Sequence, residues 1–184
     1  ADADADADAD DTGETCTVYV ASGGLDGPEC GIPERPCGTI SQGLEQADPG
    51  CIVTIGAGTW SAATGEPLPI VVGDGIHLQG AGPGVTIVND EAGQAETTFP
   101  TCNHEAIPVV ALQGAGVQLS QMTIQAQVGD NRAVAVLVVS GDAEVFDAEI
   151  IGGQDGIFVG GSSSANLHDL DAGVQGTSRI NKTY

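Results

Sequence analysis

Five cysteines, three histidines and a set of aspartates beside glycines are the residues through which this sequence could do chemistry. Cys16, Cys30, Cys37 and Cys51 fall in one short region that has no C-x-x-C pair and no nearby histidine, so disulfide bonding is read in preference to a zinc site. Cys30 and Cys37 bracket one loop and form the first expected pair. Cys16 and Cys51 head the runs "CTVYV" and "CIVTI"; if these lie side by side as parallel strands, the two sulfurs form a second bridge, with other pairings left open. Cys102 is then left for a bond to another chain or as an unpaired thiol. With His104 and Glu105 beside it, Cys102 also has the residue types of a metal or nucleophilic site, but no second cluster accompanies them. His77 in "GIHLQG" and His168 in "NLHDLD" read as strand residues that face solvent or bond locally. Turn aspartates at Asp26, Asp74, Asp130, Asp142 and Asp155 offer oxygen ligands to calcium. They are not organised into a D-x-D-x-D-G loop or a glycine-rich nonapeptide array, so the expectation is diffuse Ca2+ binding with no cofactor required. "NKT" at Asn181 fits a glycosylation sequon.

The charge balance narrows the partners. The chain of 184 residues carries a formal charge of -22, with 26 acidic and four basic residues. Only six of those acids lie in residues 1–11, so the body of the chain is itself strongly acidic. Such a field repels nucleic acid and anionic membrane surfaces and attracts cations. No apolar run of 18 residues is present, so insertion into a membrane as a helix is not expected. Disulfide bonding implies an oxidising compartment, which for this chain means an extracellular or cell-surface setting.

The elements that would position these residues are mostly short strands. Val, Ile, Leu and Ala dominate the apolar set, aromatics are 3%, and there are 28 glycines, a profile suited to strands joined by tight turns. "TISQGLEQADPG" is the exception: Ile40, Leu44 and Ala47 recur at helical spacing, Thr39 or Ser41 can cap the start, and Pro49-Gly50 stops it. From Cys51 onward, apolar or alternating runs of four to seven residues are separated by Gly, Asp, Asn or Ser. "VVALQG", "VLVVSG" and "IFVGG" end at Gly114, Gly141 and Gly160, and "VQL", "AEVFDAEI" and "ANLHDL" follow at matching places. A loose repeat of roughly twenty to thirty residues is the signature of a stacked solenoid, with a β-sandwich as the competing all-β fold. The expected organisation is a leader at 1–15, an amino-terminal cap at 16–50 and β-helix coils at 51–184.

The stretch "VYVASGGLDGPECGIPERPCGTISQGLEQADPGCIVTIGAGTW" resembles the amino-terminal signature of secreted and cell-surface right-handed parallel β-helix repeat proteins of the pectate-lyase-like superfamily. The resembling parts are P-C-x-T-I, then the helix, then P-G-x-x-V-x-I-x-x-G-T. The resemblance implies an all-β, right-handed parallel β-helix with one short capping helix and an extracellular setting. It does not imply a reaction, because this architecture hosts lyases, esterases, adhesins and structural proteins alike. By the same resemblance, a lyase would need a basic proton abstractor beside calcium-binding carboxylates, and an esterase paired aspartates with an arginine. The residues available for such roles are Arg132 with Asp147, Asp155, Asp169 and Asp171. Turn aspartates in a glycine-rich solenoid have the simpler explanation of solvated loops, so a non-enzymatic role is expected.

Two functions follow as expectations. One is a structural subunit that self-associates as a homo-oligomer or polymer, such as a filament or surface layer. The leader Ala1-Asp2-Ala3-Asp4-Ala5-Asp6-Ala7-Asp8-Ala9-Asp10 would contact a neighbouring subunit, since strict alternation puts methyls on one face of a strand and carboxylates on the other. The other is a carbohydrate-binding or polysaccharide-degrading β-helix.

Overall fold

Short β-branched runs punctuated by glycine cannot bury an apolar face alone, and they do so here by stacking as parallel strands. The computed structural model describes residues 16–90, 92–95, 97–100, 105–160, 163–173 and 180–182, and for residues 172, 173 and 180–182 only the backbone. The chain enters through β1 (Thr17–Val20), passes a disulfide loop and α1 (Ile40–Glu45), and then winds in coils that each visit three faces. The first full coil contains β2 (Ile52–Ile55), β3 (Gly58–Trp60) and β4 (Ile70–Val72). The next contains β5 (His77–Gln79), β6 (Thr86–Asp90), β7 (Phe99–Pro100) and β8 (Glu105–Gln113). Then come β9 (Val117–Ser120), β10 (Thr123–Ala126) and β11 (Ala133–Ser140), followed by β12 (Asp142–Ile151) and β13 (Asp155–Val159). The last described coil holds β14 (Ser164–Gly173) and β15 (Ile180–Lys182).

The first face stacks β1, β2, β5, β9 and the front half of β12; the second stacks β3, β6, β10 and the back half of β12. β14 lies along the full length of β12, and the third face runs β4, β8, β11, β13, β15. All these pairings are parallel; the pairing of β7 with β8 is antiparallel. The fold is therefore an all-β parallel solenoid, as the repeat in the sequence predicts.

Register builds the core. On the first face Val18, Val53, Leu78, Leu119, Val145 and Leu167 stack one above another. Trp60, Val88, Ile124 and Ile150 do the same on the second face, and Ile70, Val110, Val136 and Ile157 on the third. Apart from Leu167, which is partly buried, these side chains are at most 5% exposed, and each contributes about 1.5–3 kcal/mol by leaving water. Two of the glycines that end the repeat, Gly114 and Gly141, are a packing requirement. Gly141 has φ +79°, and a Cβ there would sit 2.1 Å from the carbonyl oxygen of Gly114 in the coil below. A second corner is turned differently: Gln121, Asp147 and Asp169 occupy equivalent places on successive coils, with φ of 57°, 49° and 52°. Asp tolerates this left-handed conformation better than most residues, which gives Asp147 and Asp169 a backbone role.

The amino-terminal end is closed by the cap. Cys16 bridges to Cys51 at the starts of β1 and β2, and Cys30 to Cys37 across the loop, with Cα separations of 4.5 and 4.9 Å. α1 is shorter than its periodicity suggests and ends before the Asp48-Pro49-Gly50 turn. Thr39 is its N-cap, accepting from the Gln42 amide at 3.1 Å, while Asp26 accepts from the Gly38 and Thr39 amides. The helix lies against β1 and β2 with Ile40 fully buried. Its first turn is held from the following coil by Glu66, only 1% exposed, whose carboxylate accepts from Ile40 N at 2.6 Å and from Ser41 N and Oγ at 3.0 and 2.7 Å.

Burial raises the Glu66 pKa above 4.5, against the lowering effect of its Ser41 and Ile40 donors. Between the unfolded and the raised folded value, the folded protein keeps a proton that the unfolded chain releases. This contribution to stability is complete below the unfolded pKa and is lost as pH rises through the raised folded value. Urea denaturation of Glu66→Ala is expected to show a loss of about 3 kcal/mol, because two backbone donors and a hydroxyl lose their partner inside the protein. Glu66→Gln is expected to abolish the wild-type fall in stability over that pH window; an unchanged slope would exclude Glu66 as its origin.

Candidate functional site

The register that stacks aliphatic side chains inward must stack the alternate residues outward. On the first face the two outer rows are His77, Gln118, Glu144, Asn166 and Gln79, Ser120, Phe146, His168. Glu144 is the hub. Its Oε2 accepts from Gln118 Nε2 at 2.9 Å, and its Oε1 accepts from Asn166 Nδ2 at 2.9 Å and from His168 Nε2 at 3.3 Å. The other ring nitrogen of His168 lies 2.9 Å from Asp169 Oδ2. The Phe146 and His168 rings are stacked, with centroids 5.2 Å apart and planes within 9°, and His77 leans on the opposite side of Phe146 at 5.8 Å. His77 Nε2 meets Ser120 Oγ at 2.7 Å. Four coils therefore present a carboxylate, two amides, two imidazoles and a phenyl ring on one parallel sheet.

The two imidazoles differ in environment. Burial lowers the His77 pKa below 6.5, with the Glu144 charge as a smaller opposing influence. His168 is raised above 6.5, first by its bond to Asp169 and then by Glu144. Glu144 is lowered in turn, chiefly by its bond to His168. The two imidazoles are thus shifted in opposite directions from the free value, and the Glu144 carboxyl is held below its own.

A family model described as a protein of unknown function (DUF1565) matches residues 23–181. The chain belongs to the DUF1565 family. That family is associated with parallel β-helix proteins, in agreement with the coils described above. No curated protein and no solved structure matches the chain.

In this DUF1565 chain the candidates drawn from the sequence are dispersed. Asp147 and Asp169 do share a corner on successive coils, and Asp171 follows in β14. Arg132 lies away from them, in the turn between β10 and β11, with its backbone amide donating to Asp130 Oδ1 at 2.8 Å. Asp155 is buried at the start of β13. The lyase-like or esterase-like set is thus not gathered into one place. Among the calcium candidates, Asp26 is used by the cap and Asp74 Oδ1 accepts from Ala115 N at 2.7 Å, which ties one coil to the next. Asp142 begins β12, on a different edge from Asp130. Among the described residues, no group of three or more His, Cys, Asp or Glu side chains is disposed to hold a metal ion. Ala1 to Asp10, Cys102 and His104 lie outside the described residues, and so does the side chain of Asn181; Glu105 begins β8.

Of the outer rows, sequence reasoning singled out only His77 and His168. Glu144, Phe146, Gln118, Asn166 and Ser120 went unnoticed because each is unremarkable within its own strand. The available signal was vertical: "AEVF" over "ANLH" and "VQLS", aligned by their turns, puts the polar and aromatic residues into two columns. In a pH titration followed by NMR, His168 is expected to lose its proton above, and His77 below, the free-histidine value of 6.5. Glu144→Gln is expected to bring the His168 midpoint down; coincident midpoints in the wild type would contradict the assigned environments.

Proposed function

We propose that this protein is an extracellular parallel β-helix that binds polysaccharide along the outer surface of its first face, as a binding protein and not as an enzyme. The observation that carries this reading is the Phe146–His168 stack set beside the Glu144 hub. A sugar ring has an apolar C–H face and a rim of hydroxyls. The stacked Phe146 and His168 rings offer an apolar strip to the first, and alternating amide, carboxylate and imidazole groups suit the second. The rows cross the strands, so a chain-like ligand running along the solenoid axis meets similar chemistry on each coil.

The negative field directs the choice of ligand. At a net charge of -22, a polyanionic glycan is repelled and a neutral one is not. Two disulfides fit the oxidising conditions outside cells. Glu144 is already engaged by three donors and His168 by two carboxylates, an arrangement that holds side chains in place for recognition. Self-association through the leader is the other function expected from the sequence, but its residues lie outside the described ones, so the proposal rests on the outer face.

Affinity electrophoresis through gels containing xylan, galactomannan or soluble β-glucan tests the proposal. Retardation by at least one neutral polysaccharide is expected, with an affinity loss of roughly tenfold in Phe146→Ala, the size of one aromatic contact. Gln125→Ala, on the second face, is expected to bind as the wild type does. No retardation in any of the gels, or equal retardation of Phe146→Ala and the wild type, would overturn the reading.

A further inference from the structure

On the opposite corner, where β10 turns into β11, the chain borders a solvent-open cavity of about 230 Å3 that takes no part in the first face. Its polar lining is Asp90, Gln127, Asp130 and Arg132, and its apolar wall includes Ala95 and Ile107. Asp90 is 6% exposed; Oδ1 accepts from Gln94 N at 2.5 Å and both oxygens accept from Ala95 N at 3.1 Å. This carboxylate is held rigidly by backbone, and Oδ2 still has a lone pair to offer. Gln127 is seated by the absence of a side chain at Gly93, where a Cβ would come within 2.2 Å of its Oε1. Arg132 approaches Asp130 Oδ1 through Nε at 3.7 Å, and among the described residues its terminal amino groups have no hydrogen-bond partner.

We propose that this cavity is a binding site for one neutral sugar ring. The argument is by charge, size and bonding capacity. A metal cation is disfavoured because the Arg132 guanidinium, itself a cation, faces the same space. An anion is disfavoured by Asp90, Asp130 and the net negative charge of the chain. A neutral polyhydroxylated molecule satisfies both signs at once, donating hydroxyls to the carboxylates and accepting from the guanidinium and the Gln127 amide. At about 30 Å3 per water molecule, the volume corresponds to roughly eight waters, the scale of a single ring. Ala95 and Ile107 provide a wall for its C–H face. Arg132, drawn from the sequence as a fallback catalytic base, is here a ligand-binding group.

The site is independent of the first face, and the experiment separates the two. Saturation-transfer NMR and isothermal titration would use D-glucose, D-galactose, D-mannose and D-xylose, with sodium acetate and calcium chloride as charged probes. At least one sugar is expected to bind, with a loss of roughly tenfold or more in Arg132→Ala and in the cavity-filling Ile107→Trp. Circular dichroism and the melting temperature verify that each variant is folded; Arg132→Ala removes a half-exposed side chain and is expected to pass this check. The part of the titration that Arg132→Ala abolishes is expected to persist in Phe146→Ala whatever that change does at the outer face, so failure of the outer-face proposal leaves this one standing. Binding of none of the four sugars, equal binding by wild type and Arg132→Ala, or saturable binding of acetate or calcium in the cavity instead of sugar would overturn it.

Discussion

Everything in this molecule depends on in-register parallel stacking of coils that are unstable one at a time. A single coil buries only the side chains that point into its own triangle, and its backbone donors and acceptors face the coils on either side. Stacking at about 4.8 Å satisfies the backbone and converts isolated valines and leucines into continuous ladders. The ladder from Val18 through Val53, Leu78, Leu119 and Val145 is the clearest case, because five coils supply one residue each and nearly no surface is left exposed. A slip of one residue in any coil would point that coil's whole apolar set into solvent, so register is fixed at every step.

A stack needs a first layer, and the cap supplies one by locking neighbouring coils together. The Cys16–Cys51 bridge joins the first two strands of the first face at their starts. Ile40 and Gly43 of the capping helix press on the interior of the first coil, Gly43 so closely that a Cβ would lie 2.5 Å from Val20. Glu66 then reaches back from the second coil to the helix amides. The buried carboxylate is tolerated because each donor it meets would otherwise lack a partner, and one acidic side chain thereby ties helix, coil and loop together.

Register also decides the surface. The outward rows of the first face collect groups from coils separated by 41, 26 and 22 residues, counted from His77 through Gln118 and Glu144 to Asn166. Like charges recur in such columns, as Asp147 and Asp169 do at the left-handed corner, and their repulsion is opposed by His168 bonding to Asp169. In a chain so short of basic residues, a single imidazole placed between two carboxylates changes the local field.

The sequence by itself determined the class of fold, the place of the first helix and the stacking of the runs after Gly114 and Gly141; it offered Thr39 or Ser41 as the cap and Cys30–Cys37 with Cys16–Cys51 among other pairings, and the structure selects Thr39 and those two bridges. Each of these follows from local chemistry: β-branched runs extend, glycines turn, and a cysteine at the head of each of two equivalent strands meets its counterpart when the strands align. Local chemistry also explains why Asp26 and Asp74 were read as open oxygen ligands, since nothing nearby in the chain reveals that a backbone amide 12 or 41 residues away will occupy them. Only the tertiary structure decided which outward residues share a column, that Glu66 lies inside the protein, and that Arg132 opens onto a cavity instead of joining Asp147 and Asp169. The reason is physical. The strand period sets which side of the sheet a residue faces, whereas its neighbours across the sheet are set by the lengths of the intervening loops, and those lengths carry no residue-level signal until the coils are stacked.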